Sequence, residues 1–130
     1  MRTWIVLVIL LGGIVTRSLF AQSPAPAKPK QFIYVLRLVP RLSDDKAWTE
    51  DDKAAVERHF NRFKEAVKSR QLILAGRTAE TGDKTFGIAI FEASDENAAR
   101  AFMNADPAVV AGVMTADLHP FGVALERKNP

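Results

Sequence analysis

Apolar and polar positions change period several times along this chain, and each change predicts an element. Gln31 to Val39 is rich in β-branched and aromatic residues and stops at Pro40, which reads as a strand. Its two faces, Phe32, Tyr34, Leu36, Leu38 and Ile33, Val35, Arg37, Val39, are both largely apolar. That is unusual for a strand with one side in water. From Thr49 to about Arg70 the spacing becomes helical, with Val56, Phe60, Phe63 and Val67 as the expected core stripe. Thr49 suits an N-cap, and Glu50, Asp51 and Asp52 follow in the first turn, where the helix dipole favours anions. Leu72 to Gly76 predicts a second strand, Glu80 to Asp83 a turn, and Thr85 to Phe91 a third strand. Ser94 with Asp95 and Glu96 opens a second helix, with Ala98, Ala101, Phe102 and Ala105 as its stripe. Asp106 and Pro107 begin a short further turn, since Asp caps well and Pro fits the first helical position. Val113 to about Leu125 reads as the last strand, with Pro120 marking a bulge or an edge.

The order β-α-β-β-α-β is that of a ferredoxin-like α+β sandwich, a four-stranded sheet with both helices on one face. The helices cover one side only. If Ile33, Val35, Val39 and residues of the 72–74 and 86–91 strands populate the other, an exposed apolar patch results, and such patches mark interfaces. Packing sheet on sheet about a two-fold axis covers it, so a homodimer is expected.

The start of the chain follows a different logic. Arg2 precedes Trp4 to Val15, twelve residues without a charge, and Thr16 to Ala21 follows. A membrane-spanning helix needs about 20 apolar residues and a secretory core about 7–15, so residues 1–21 read as a cleavable signal peptide. The alternative is an uncleaved membrane anchor over Trp4 to Phe20. Residues 22–30 carry three prolines and no large apolar side chain, which predicts a linker, and the domain occupies 31–130. The destination is then periplasmic or secreted, with no membrane partner beyond the signal.

Charge changes this picture little. The 130 residues hold 18 Lys plus Arg against 15 Asp plus Glu, a net +3. Removing Arg2 and Arg17 leaves 16 against 15, and starting at Gln31 leaves 14 against 15. The basic run Arg58, Arg62, Lys64, Lys68, Arg70 is interleaved with Glu57 and Glu65 and reads as a solvated helix face, so no nucleic-acid partner is expected. With no Cys, thiolate zinc sites, iron–sulfur clusters and cysteine nucleophiles are excluded. The two histidines are sixty residues apart, which gives no metal-ligand spacing, and no phosphate loop or Gly-x-Ser-x-Gly elbow occurs. Neither a metal nor a cofactor is expected.

The candidate chemistry therefore rests on His59 and Asp106. His59 flanks the predicted helix stripe and reads either as a general acid or base facing a partly buried pocket or as a boundary histidine half in water. Asp106 reads as an N-cap, as a carboxylate orienting an imidazole, or as both at once, since one oxygen can cap while the other accepts from a ring nitrogen. His119, beside Pro120, reads as structural or exposed.

Two stretches resemble a known family. His59 to Gly76, a helical His followed by a strand ending Leu-x-Ala-Gly, and Ala105-Asp106-Pro107 to Gly112, followed by His119-Pro120-Phe121, are similar to the two blocks of the YCII-related (YciI-like) domain family. The resemblance covers about Gln31 to Leu125. It implies a dimeric α+β barrel of ferredoxin-like subunits and a His–Asp pair lining a cleft, which on these positions is His59 and Asp106. The segment from Pro40 to Trp48 is longer than usual for the family, Arg70 stands where Gly is common, and an export signal departs from the usual cytoplasmic location. The expected function is cofactor-independent proton transfer, an elimination or isomerisation, on a small organic molecule. The alternatives are a non-catalytic dimeric ligand-binding or accessory module and, with His59 as its one candidate axial ligand, a haem-binding relative.

Overall fold

A computed structural model describes residues 28–127. The segments expected to be a signal peptide and most of the linker lie outside them. The elements are β1 (Lys30–Leu38), α1 (Glu50–Lys68), β2 (Leu72–Arg77), β3 (Gly87–Ala93), α2 (Glu96–Asn104), α3 (Pro107–Val110) and β4 (Met114–Phe121). The sheet runs β2-β3-β1-β4 with every neighbouring pair antiparallel. This is the ferredoxin-like α+β arrangement, in which each helix crosses back over the sheet and a strand from the other half fills the gap.

α1 begins where it does because of a reciprocal cap. The Asp52 N–H donates to Thr49 Oγ1 at 3.2 Å, and the Thr49 N–H donates to Asp52 Oδ2 at 2.9 Å. Arg41, in the 3₁₀ turn Pro40–Ser43, adds a two-pronged bond to the same carboxylate. At the far end Arg70 adopts φ 63°, a left-handed conformation that normally goes to Gly. The turn closes with Gln71 N–H on Ala66 C=O at 2.9 Å.

The main core lies between the helices and one sheet face. It gathers Phe32, Tyr34 and Leu36 of β1, Ala89 and Phe91 of β3, Phe63 and Ala66 of α1, and Ala99 and Met103 of α2. Each large side chain fully withdrawn from water contributes roughly 1.5–3 kcal/mol. A second cluster, Leu42, Ala55, Ala108 and Val113, ties α3 and the 3₁₀ segment to the start of α1.

Several expected details shift. The buried row of α1 is Asp52, Ala55, His59, Phe63 and Ala66, while Phe60 and Val67 are 59% and 54% exposed. The expected stripe was one position, about 100°, out of phase, because the Asp52 carboxylate and His59 Nδ1 find hydrogen-bond partners and let both residues take core positions. In α2, Ala99 and Met103 are buried, Ala98 and Phe102 pack at the margin, and Ala101 and Ala105 face out. Its N-cap is Asp95, whose side chain accepts the Ala98 N–H at 2.8 Å, in place of Ser94. β3 starts two residues late because the 3₁₀ turn Gly82–Lys84 and the Thr78 N–H bond to Phe86 C=O (2.9 Å) close the hairpin at Phe86. β4 stops at Phe121, opposite Gln31, where its partner strand runs out.

The uncovered sheet face carries Ile33 and Val35 of β1 opposite Ile90 and Ile88 of β3. Leu74 of β2 joins them, after a register shift between Leu72 and Leu74. β4 contributes Thr115, Asp117 and His119 to this face, so one flank of it is polar. Val39, expected there, packs against the second cluster instead.

Candidate functional site

Asp106 is the centre of the site. It caps α3, accepting the Ala108 N–H at 3.0 Å, with Pro107 at the first helical position. The short Ala55 and Ala108 side chains, both fully buried in the second cluster, let α3 close against α1. His59 lies one turn beyond Ala55, and its Nδ1 comes to 2.8 Å from both Asp106 oxygens. The His59 ring is backed by Phe63, with centroids 4.2 Å apart. The two residues singled out from the sequence therefore meet in space.

Two further residues belong to the cluster that sequence reasoning did not assign to it. Tyr34, from β1, donates its hydroxyl to Asp106 Oδ2 at 2.9 Å. It is the chain's single tyrosine, set on the inward face of a central strand, and a buried tyrosine hydroxyl needs a partner. That was the available signal. Arg62, read as part of a solvated basic face, turns inward. Its guanidinium stacks on Phe102 at 4.0 Å, its Nη2 donates to the Phe102 carbonyl at 2.7 Å, and its Nη1 sits 3.9 Å from Asp106 Oδ2. Nη1 is buried and has no hydrogen-bond partner among the described residues, so it acts on Asp106 as charge alone. The spacing His59-x-x-Arg62 puts both on one helix face, a cue that net-charge counting hides. His119, by contrast, is exposed on β4, paired with Ile33 one step from Tyr34 but on the opposite face of the sheet from the cluster.

The electrostatics follow from these contacts. Asp106 is wholly buried, and burial by itself pushes its carboxyl up. The hydrogen bond and charge of His59, the Ala108 N–H and the Tyr34 hydroxyl outweigh that and hold it below the ordinary aspartate value. Tyr34 moves the other way: burial, then the Asp106 charge and hydrogen bond, raise its hydroxyl far above the usual tyrosine value. Asp106 is thus an anion and Tyr34 a neutral donor. An anionic Asp106 accepting from Nδ1 places a proton on that nitrogen, so in the neutral ring Nε2 carries the lone pair.

Nε2 makes no hydrogen bond within the described chain, and His59 lines a cleft of about 620 Å³. One wall is α1, with Phe60, Lys64 and Val67. The opposite wall is sheet, where Ala75, Gly76 and Gly87 have little or no side chain to fill the space. A Cβ on Gly87 would sit 3.6 Å from the Leu36 Cβ, in the cleft floor. Trp48, from the segment after Pro40, closes one end and anchors its indole N–H on the Leu42 carbonyl at 3.1 Å. The exposed Phe60 and Val67 are therefore lining. No group of three or more His, Cys, Asp or Glu residues among the described residues is arranged to hold a metal ion.

A search of curated proteins finds no match to the chain. Among solved structures it is similar to the 5-chloro-2-hydroxyhydroquinone dehydrochlorinase (TftG) of Burkholderia phenoliruptrix AC1100, in complex with 2,5-dihydroxybenzoquinone. The identity is 19%, the alignment covers 71% of this chain and 93% of that one, and the TM-score is 0.48. The YCII-related domain matches residues 35–118, from the middle of β1 to β4, and so spans His59, Asp106 and Tyr34's neighbour Val35 onward. With nearly all of the folded core inside that match, the chain belongs to the YCII-related domain family.

Proposed function

We propose that this protein is an exported enzyme that moves a proton on a small organic molecule, with His59 as the general base and Asp106 as its positioning partner. The observation that carries the reading is the 2.8 Å contact between His59 Nδ1 and the buried Asp106 carboxylate, at the edge of an open apolar cleft. His59 Nε2 takes a proton from an activated C–H or O–H group. Asp106 fixes the tautomer and stabilises the imidazolium that forms, and Tyr34 and the Ala108 N–H hold Asp106 ionised. In an isomerisation the imidazolium returns the proton to another atom of the same molecule. In an elimination it passes the proton to water while the leaving group departs with its bonding pair.

The reading includes assembly as a homodimer through the uncovered sheet face, where Ile33, Val35, Ile88 and Ile90 form an apolar strip. It includes export, which rests on the sequence of residues 1–21 alone.

The test is hydrogen–deuterium exchange, followed by NMR, over a panel of small carbon acids in D₂O. The wild-type protein should accelerate exchange for at least one compound, and His59→Asn should slow it by about 10²-fold or more. Equal rates for the two proteins would sink the acid–base reading and leave a ligand-binding module. Light scattering should give about twice the chain mass, and Ile90→Glu should return monomer.

A further inference from the structure

The charged groups around the cleft are of one sign. Besides His59 its lining includes Lys64 of α1 and Arg77 of β2, and no Asp or Glu among the described residues. The register places Arg77 opposite Gly87, two steps along from the pair Ala75–Ala89, so it shares the helix-facing side of the sheet with them. Neither cation has a carboxylate within 4.0 Å among the described residues, whereas Lys53 and Lys68 of the same helix are paired with Glu50 and Glu65 at 2.7 Å. Lys64 instead donates to Asn61 Oδ1 at 3.4 Å and lies over the Phe60 ring at 4.6 Å, so the helix wall sets a cation beside an aromatic face. Everything else on the walls is apolar or small, apart from Thr85. A cleft of this volume suits an ordinary small molecule, and unpaired cations beside aromatic walls select its charge.

We propose that the cleft takes an apolar organic anion, its acid group met by Lys64 and Arg77 and its hydrophobic body resting against Phe60 and Phe86, within reach of His59. The proposal rests on the cleft being the working site named above and deepens it by giving the substrate class. Such an anion adds a chemical reason for the arrangement. Proton abstraction builds negative charge on the substrate, and nearby cations with no competing carboxylate stabilise that charge as it develops.

The test compares two fluorescent probes of similar shape on the full chain: 8-anilino-1-naphthalenesulfonate, an anion, and N-phenyl-1-naphthylamine, which is neutral. The expected result is about tenfold tighter binding of the anion, a preference that shrinks on raising salt from about 0.05 to 0.5 M. The double variant Lys64→Gln, Arg77→Gln, both exposed positions, should bring the two affinities within twofold of each other. Equal affinities in the wild type, no binding of either probe, or a preference that survives the double variant would each overturn the proposal. His59→Asn separates it from the preceding reading. If that variant keeps the probe preference but also keeps full deuterium exchange, the acid–base reading alone fails. If the wild type shows no preference while exchange depends on His59, this one alone fails.

Discussion

Two aspartates in this fold do the same local job and differ in everything around it. Asp52 and Asp106 each cap or brace a helix N-terminus, and each carboxyl is held below the ordinary value. Around Asp52 the main cause is the Arg41 guanidinium, followed by the Thr49 N–H, at a site whose partner side chain is half exposed. Arg41 stays charged at every accessible pH, so that pair is a fixed clamp. Around Asp106 the partners are a histidine, a tyrosine and a backbone N–H, all withdrawn from water, and the histidine's other nitrogen is left free at a cleft. The same capping geometry becomes a candidate for chemistry when its partner can take up and release a proton.

The comparison breaks most visibly on truncation. Asp106→Ala should cost about 3–5 kcal/mol, because it strands the Tyr34 hydroxyl, the Ala108 N–H and the Arg62 charge inside the protein. Asp52→Ala should cost less than half as much in the same urea titration, since water can replace what Arg41 and Thr49 lose. A pair of equal losses would show that the exposure of the partner groups does not separate the two sites.

Acid sharpens the contrast next. Asp106 binds its proton less readily folded than unfolded. The stability it contributes is complete above the unfolded value of about 3.9 and is lost as pH falls through the lower folded value. Thermal melts of the wild type should therefore fall steeply below about pH 4, and Asp106→Asn should flatten the part of that slope owed to this residue. An unchanged slope would mean that other carboxylates carry it.

At the other end of the scale, Tyr34 has its proton held more tightly folded than unfolded. Its contribution is present below about pH 10 and declines above it, as the unfolded chain ionises first. As the chain's single tyrosine, it gives a clean ultraviolet signal: tyrosinate absorbance should rise together with unfolding and not before. The smallest expected change lies away from both aspartates. Arg70→Gly should stabilise the protein by roughly 1 kcal/mol or less, relieving the left-handed strain at φ 63° against the added entropy of glycine.

Element order was legible because it depends on strong local signals, whereas the meeting of His59 with Asp106 was expected only through the resemblance of their two stretches to the YCII-related family. Thr49 with its acidic turn, Asp106 before Pro107 and the apolar run of β1 each have one physical solution. The phase of α1 was not legible. Phe60 and Val67 outrank His59 and Asp52 on any hydrophobic scale, yet the core position goes to the side chains whose polar atoms find partners on other elements. Those partners, Asp106 for His59 and Arg41 for Asp52, lie 47 and 11 residues away in sequence, beyond what periodicity can see. Arg62 hid for the same reason: its inward turn is set by Phe102, forty residues on.

The two outer strands carry one more consequence. β2 is kinked by the register shift between Leu72 and Leu74, and β4 carries Pro120, which has no N–H to offer a newcomer. Both rims of the sheet thus resist templating: a stray extended segment finds an irregular ladder on one side and a missing donor on the other. Self-association by strand addition, the route to open-ended aggregates, is disfavoured. What remains open is the broad face of the sheet, where the proposed two-fold contact would close on itself after two chains.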